Sequence, residues 1–129
     1  MKAKIIGIVY VDFLRGIGSA EKLFHDIVKE LKDEGRVETH ADDRTVRFED
    51  GTRVYKIGSS SMMDRRLTHA YIDEGVFDLV NGERVVRELI LPSIVPQGRY
   101  ANIDANTDIG DRVFLFNEKG VTKRLIKGW

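Results

Sequence analysis

The sequence predicts a three-layer α/β protein with a mostly parallel central sheet and an inserted β-hairpin. Two nearly continuous apolar runs, at 4–11 and 67–72, are typical of buried parallel strands that are covered on both faces. An amphipathic segment at 20–34 lies between them and has the spacing of a helix. Strands that alternate with helical segments indicate a parallel core with helices on the faces of the sheet.

The first strand and the first helix are the best-marked elements. The run KIIGIVYV is followed by a polar loop with two glycines, and Ser19 is expected to cap the helix. Gly35 is in the position of a C-terminal capping glycine. The helix is predicted to face the sheet with a stripe formed by Leu23, Phe24, Ile27, Val28 and Leu31.

A hairpin is predicted in the middle of the chain, after a weak strand at 36–40. Asp50-Gly51 separates two alternating runs, 45–49 and 53–57, which is a strong short-range hairpin signal. The exposed edge of this hairpin is expected to be a surface for self-association, so the oligomeric state stays open.

The second half of the chain predicts a helix and two more strands. The helix covers 83–90, and prolines at 92 and 96 end it. The strands cover 99–104 and 112–116. Neither a repeat nor a linker is visible, so we expect a single domain over residues 1–129.

The composition limits the classes of function. The 129 residues include 21 Lys plus Arg and 21 Asp plus Glu, so the formal net charge is zero. Zero net charge disfavours non-specific binding of nucleic acid, although it leaves room for a local basic patch. Cysteine is absent, which excludes disulfides and thiolate metal sites and fits a reducing compartment. With neither a signal peptide nor a membrane span in view, we expect a cytoplasmic protein that does not engage membranes.

Two polar segments follow the two apolar strands. RGIGSAEKL, at 15–23, joins the first strand to the helix, and backbone N–H groups at such a helix start can point at an anion. Asp73 and Glu74 follow the second strand. Right-handed crossovers between parallel strands would bring both segments to the carboxyl edge of the sheet, where ligands bind.

In their order along the chain, these motifs resemble the ATPase domain of phage large terminases and, more broadly, RecA-like P-loop NTPases. RGIGSAEKL is similar to the phosphate-binding loop, and RRLTHAYIDE is similar to the Walker B strand with its acidic pair. The hairpin TVRFEDGTRVYKIGSS, the helix ERVVRELILPSI and the stretch GRYANIDANTDIGDRVFLF, with Thr107, resemble later landmarks. The resemblance covers about residues 4–118.

The resemblance implies a nucleotide with Mg²⁺ as ligand, with Asp73 supporting the metal and Glu74 polarising a water. The loop departs from the family pattern, because Ser19 stands at the lysine position and Ala20 at the hydroxyl position. Phe13 replaces the first glycine, and Lys22 lies about one helical turn too far along. Without the lysine, the phosphates lose their main counter-charge in the transition state, so ordinary ATP turnover is not expected.

We therefore expect a non-catalytic, phage-type binding protein on a decayed ATPase fold, acting in the host cytoplasm if it is phage-encoded. It would sequester a nucleotide-type ligand, or bind and inhibit a host or phage protein. The ligand-binding candidates are Arg15, Gly16, Gly18, Ser19, Arg65, Arg66, Asp73 and Glu74. No catalytic residue and no metal site is assigned.

Each candidate also has a purely structural interpretation. The glycines fit an ordinary turn, Asp73 and Glu74 fit the polar end of a buried strand, and the two arginines fit a solvated loop. His69 is expected to be a core histidine. The alternative function is a metal-dependent enzyme that processes nucleotides or nucleic acid with Asp12, Asp73 and Glu74.

Overall fold

The computed structural model describes residues 3–11, 17–59, 66–86, 88 and 112–124 of the chain. These residues form one sheet and three helical segments. The elements are β1 (Ile5–Tyr10), α1 (Ile17–Asp33), β2 (Glu38–Ala41), β3 (Thr45–Phe48), β4 (Arg53–Gly58), β5 (His69–Asp73), a 3-10 helix (Glu74–Asp78), α2 (Gly82–Val85), β6 (Val113–Asn117) and β7 (Gly120–Arg124).

The seven strands form an open, mixed sheet in the order β2-β3-β4-β1-β5-β6-β7. The four strands β4-β1-β5-β6 are parallel, while β2, β3 and β7 pair antiparallel at the two sides. The predicted α/β class and the parallel centre are thus confirmed. The sheet as a whole is mixed rather than mostly parallel, because half of its strand pairings are antiparallel.

β1 occupies the centre of the sheet because it can bury both of its faces. Ile6 and Ile8 belong to one buried cluster, which also contains the apolar stripe of α1. Val9 points the other way and belongs to a second cluster with Ile57 and Ile72. Since side chains alternate along a strand, the two clusters lie on opposite faces of the sheet.

The first helix matches the predicted element closely, with one difference at its start. Its stripe is buried as expected, and Gly35 ends it with φ of 95°. The Gly35 N–H donates to Lys32 O and the Arg36 N–H to Leu31 O, which is a Schellman motif. The helix begins at Ile17, so Ser19 lies inside the first turn and the prediction that it is the N-cap was wrong.

The Asp50-Gly51 hairpin is present, but its predicted edge is not exposed. Gly51 takes φ of 92° in the turn, and β3 and β4 pair on either side of it. β2 covers the outer side of β3, and β1 covers the outer side of β4. The hairpin therefore offers no free strand edge for self-association, and the prediction that its edge is exposed was wrong.

Among the strands of the described residues, the outermost are β2 and β7, and the pairing of each contains an irregularity. The β2–β3 register shifts between Glu38 and His40. The β6–β7 register shifts between Leu115 and Phe116. Such bulges bend and twist a strand locally, and they are common at sheet edges.

The second half of the chain agrees with the prediction only in part. β5 begins at His69, two residues after its predicted start, and β6 begins at Val113, one residue after its predicted start. α2 begins one residue before the predicted helix, and its other residues lie within it. The 3-10 helix and β7 were not predicted. The predicted strand at 99–104, the end of the predicted helix at 89–90 and Thr107 lie outside the described residues.

Candidate functional site

The chain reverses its direction of travel across the sheet between β1 and β5. From β1 it passes through α1 and the hairpin to β4 on one side, and it then returns to β5 on the other side. In an open α/β sheet, the crevice outside the carboxyl ends of two such strands is where ligands bind. The candidate site is therefore the carboxyl edge between β1 and β5, and binding of a ligand there stays a prediction.

The segments that follow these two strands touch each other. A Cβ added to Gly75, just after β5, would lie 3.3 Å from Cγ2 of Val11, just after β1. It would also lie 3.2 Å from Oδ1 of Asp73. Val11, just after β1, and Gly75, after β5, are thus close neighbours, with little space between them.

Asp73 is buried at this edge and caps the 3-10 helix. Its Oδ1 accepts a hydrogen bond of 2.8 Å from the Gly75 N–H, and only 7% of the residue is exposed. Burial, together with the charge of Glu74, raises the pKa of the Asp73 carboxyl, although the Gly75 hydrogen bond acts in the opposite direction. The side chain of Asp73 therefore fixes the turn that begins the 3-10 helix.

Glu74 is turned towards the β6–β7 hairpin. The Thr122 hydroxyl donates to its Oε1 over 2.7 Å, and the Asn117 amide donates to its Oε2 over 3.3 Å. Both carboxylate oxygens thus hold the hairpin to the end of β5. A Glu that is to polarise a water needs a free oxygen directed at that water, so this arrangement favours a structural use of Glu74.

The start of α1 follows β1 along the chain, and Glu21 near this start pairs with Lys56 of β4. Gly18 is exposed, and a Cβ placed on it would meet no neighbouring atom of the described residues within 4 Å. Ser19 is half-buried, and the first turn contains no acidic residue. The unpaired N–H groups of a helix start carry partial positive charge, and here no carboxylate of the first turn neutralises it.

Sequence reasoning missed Lys56, a lysine close to the start of α1. It lies on β4, and its side chain is only 11% exposed. Its ammonium group pairs with Glu21 and lies 5.1 Å from the centre of the Phe24 ring. The hydrogen bond from Lys56 is the main cause of the lowered pKa of Glu21. No local sequence pattern predicts the contact between Lys56 and Glu21, because the two residues are 35 positions apart.

The remaining predicted site residues are scattered or not described. Lys22 is exposed on α1, and Arg66 is exposed before β5. Arg15, Gly16, Arg65 and Asp12 lie outside the described residues. The structure thus brings together Asp73, Glu74 and the segment leaving β1, whereas Arg66, which is described, precedes β5 and so lies towards the opposite end of that strand.

His69 matches the prediction of a core histidine. Burial, with smaller contributions from the charges of Lys4 and Arg112, lowers its pKa to about 4. Its Nδ1 lies 2.7 Å from the hydroxyl of Thr68. It lies at the start of β5, at the amino edge of the sheet and away from the candidate site.

Within the described ranges, no three His, Cys, Asp or Glu side chains come together as metal ligands, and no helix is long and apolar enough to cross a membrane. Comparison of the chain with protein-family models, curated proteins and solved structures finds no match. The resemblance to the terminase ATPase domain therefore stays a prediction from the motifs.

Proposed function

We propose that this protein binds a phosphate-bearing, nucleotide-type ligand at the carboxyl edge between β1 and β5 and does not turn it over. The observation that carries the proposal is the reversal of strand order between β1 and β5, where α1 follows β1 along the chain and Asp73 ends β5. The N–H groups at the start of α1 would receive the phosphate.

Two features support binding without hydrolysis. Glu74, the residue that would polarise a water, is engaged by Thr122 and Asn117. The lysine that a phosphate-binding loop uses is replaced by Ser19, and the ammonium group of Lys56, close to the helix start, is already paired with Glu21. Loss of a counter-charge and of a positioned water removes the largest contributions to phosphoryl transfer.

The finer architecture, a three-layer P-loop-like fold, belongs to this proposal, as does the biological role. The motifs favour a small phage-type protein that sequesters a nucleotide signal in the host cytoplasm, with or without Mg²⁺. Inhibition of a host or phage protein is the second role that the same fold supports. Thermal unfolding in the presence of nucleotides separates this role from sequestration of a nucleotide.

The alternative is a metal-dependent enzyme that uses Asp12, Asp73 and Glu74. The adjacent carboxylates at the end of β5 favour it, since paired acids at such an edge can hold a divalent cation. We expect no turnover of ATP or of DNA above the level of the Glu74→Gln variant. Turnover that depends on a divalent metal and is lost in this variant would establish the enzyme instead.

The binding test is thermal unfolding of the full chain with ATP, GTP, cyclic nucleotides or inorganic phosphate, each with and without Mg²⁺. A ligand at 100 times its dissociation constant adds about 2.7 kcal/mol to the free energy of unfolding. Stabilisation by at least one nucleotide is expected. If none stabilises the chain, the role as a protein inhibitor is favoured over the nucleotide sponge.

A charge-reversal pair at Gly18 locates the binding. The position has open space, so Gly18→Asp and Gly18→Lys both fit. Asp near a helix start stabilises the helix by about 0.3–1 kcal/mol, and Lys does the reverse. The ligand-induced shift should nevertheless fall in Gly18→Asp and rise in Gly18→Lys, because the ligand is an anion. Equal shifts in both variants would place the ligand elsewhere.

A further inference from the structure

The turn between the 3-10 helix and α2 contains the only Asn-Gly pair in the sequence, Asn81-Gly82. Its glycine is required by packing. A Cβ added to Gly82 would overlap the backbone carbonyl oxygen of Val76 and would come within 3.1 Å of Cα of Phe77. Because only glycine fits against the 3-10 helix, the residue after Asn81 cannot acquire a side chain without moving one of the two helices.

We propose that Asn81 is a site of spontaneous deamidation, and that the fold controls its rate. The backbone nitrogen of Gly82, after losing its proton, attacks Cγ of Asn81. The bond from Cγ to the side-chain nitrogen breaks, ammonia leaves and a succinimide ring forms. Water then opens the ring at either carbonyl and gives aspartate or isoaspartate, with no oxidant or reductant consumed. A glycine in the next position offers the least steric resistance to this attack.

The folded structure holds this pair in an unreactive geometry. Asn81 has ψ of 21°, which places the Gly82 nitrogen nearly opposite to Cβ across the Cα–C bond, whereas ring closure needs them on the same side. The attacking N–H also donates to Leu79 O over 2.9 Å, and Asn81 O accepts from the Val85 N–H over 2.9 Å. The reaction therefore requires α2 to open locally.

The side chain of Asn81 is available once that opening occurs. Asn81 is exposed, and it makes no side-chain hydrogen bond that caps α2. Aspartate is as good a residue as asparagine before a helix, so this product should fold normally with one more negative charge. Isoaspartate adds a backbone atom and moves Gly82 off Val76. Val76 belongs to the 3-10 helix that begins at Glu74, so this product disturbs the end of β5.

The test is incubation of the full chain in mildly alkaline buffer, folded and in urea, followed by peptide mapping. Deamidation adds about 1 Da to the peptide that contains Asn81. We expect modification in urea and a rate at least about tenfold lower in the folded chain, because local opening is rate-limiting there. Asn81→Gln is the control, since a glutamine must close a larger ring and should stay unmodified.

A second variant tests the control by the fold. The Val76 side chain is fully buried in the cluster that also contains Val86, next to the end of α2, so Val76→Ala should loosen the packing between the 3-10 helix and α2. It should raise the rate in the folded chain several-fold and leave the rate in urea unchanged. Equal rates for the folded and the unfolded chain, or an unmodified Asn81 in urea, would overturn the proposal.

Discussion

Replacement of Arg36 should reveal how much the amino edge of the sheet depends on one buried guanidinium group. Its side chain is only 3% exposed. It donates to Glu34 over 3.1 Å, to the hydroxyl of Thr52 over 2.8 Å, and to Asp50. Arg36 thereby joins the end of α1 to the turn between β3 and β4. We expect Arg36→Met to keep the packing of the aliphatic part of the side chain and to lose the hydrogen bonds of the guanidinium group.

The expected cost of Arg36→Met is about 2 kcal/mol in the free energy of unfolding. Hydrogen bonds to charged groups contribute about 1.5–3 kcal/mol each. Two of the acceptors are partly exposed, with 36% of Glu34 and 29% of Asp50 accessible, so water replaces part of what they lose. Thr52 is fully buried, but its hydroxyl oxygen still accepts the Lys4 N–H over 3.1 Å.

The assay is urea unfolding at pH 7, where 2 kcal/mol moves the midpoint by about 1.3 M if the slope is about 1.5 kcal/mol/M. Arg47→Met is the matched control, because Arg47 is exposed on β3, and it should shift stability by no more than about 0.5 kcal/mol. An Arg36→Met variant as stable as this control would refute the estimate.

The effect of Arg36→Met should also depend on pH. Burial alone would raise the pKa of Asp50, but hydrogen bonds from Thr52 and the charge of Arg36 outweigh it, so the pKa lies below 3.8. A lowered carboxyl pKa contributes stability above the unfolded value, and this stability is lost as pH falls through the folded value. The difference between wild type and Arg36→Met should therefore shrink below about pH 3.8. A constant difference down to pH 2 would mean that the pair does not act through charge.

Three further predictions concern other parts of the sheet. Glu74→Ala should lower the free energy of unfolding by about 1 kcal/mol and speed amide hydrogen exchange in β7. Adding Thr122→Val to this variant should lower it little further, because the hydrogen bond between the two side chains is already lost. Fully additive losses would show that the two side chains act separately. Gly7→Ala should cost about 1–3 kcal/mol, because its Cβ would lie 2.7 Å from Cδ1 of Leu67; Leu67→Val should restore part of the loss, and no rescue would contradict the clash. His69 has a folded pKa of about 4, below its unfolded value, so stability should fall as pH drops from about 6.5 to 4; His69→Asn should flatten urea midpoints across this range, and an unchanged slope would reject this origin.

The elements that the sequence predicted well are those whose signal is local. The apolar stripe of α1 and Gly35 at its end were identified from spacing alone, because both follow from 3.6-residue periodicity and from the φ that a Schellman motif needs. The Asp50-Gly51 hairpin is similar, since the positive φ of its turn favours glycine. Such features need no knowledge of what lies across the sheet.

The parts that were missed depend on contacts between distant residues. β7 is short and begins at Gly120, which has φ of 112°. A glycine shortly after β6 is a turn signal in the sequence, and it could have revealed the β6–β7 hairpin. The role of Glu74 could not be predicted, because its partners lie 43 and 48 residues further along the chain. The burial of Asp73 depends equally on the packing of neighbouring strands. The sequence therefore predicted that the segments after β1 and β5 meet at one edge of the sheet, but not the hydrogen bonds and burial of the carboxylates there.

The irregular pairing of β2 and β7 has a consequence for how much of this protein a cell can contain. A protein that sequesters a ligand works in proportion to its copy number, so it must accumulate to at least the concentration of what it captures. Long, regular outer strands would recruit one another at such concentrations. The shifts between Glu38 and His40 and between Leu115 and Phe116 interrupt that recruitment on both sides. The two bulges thus limit pairing between copies at high concentration, as the proposed sequestering role would require.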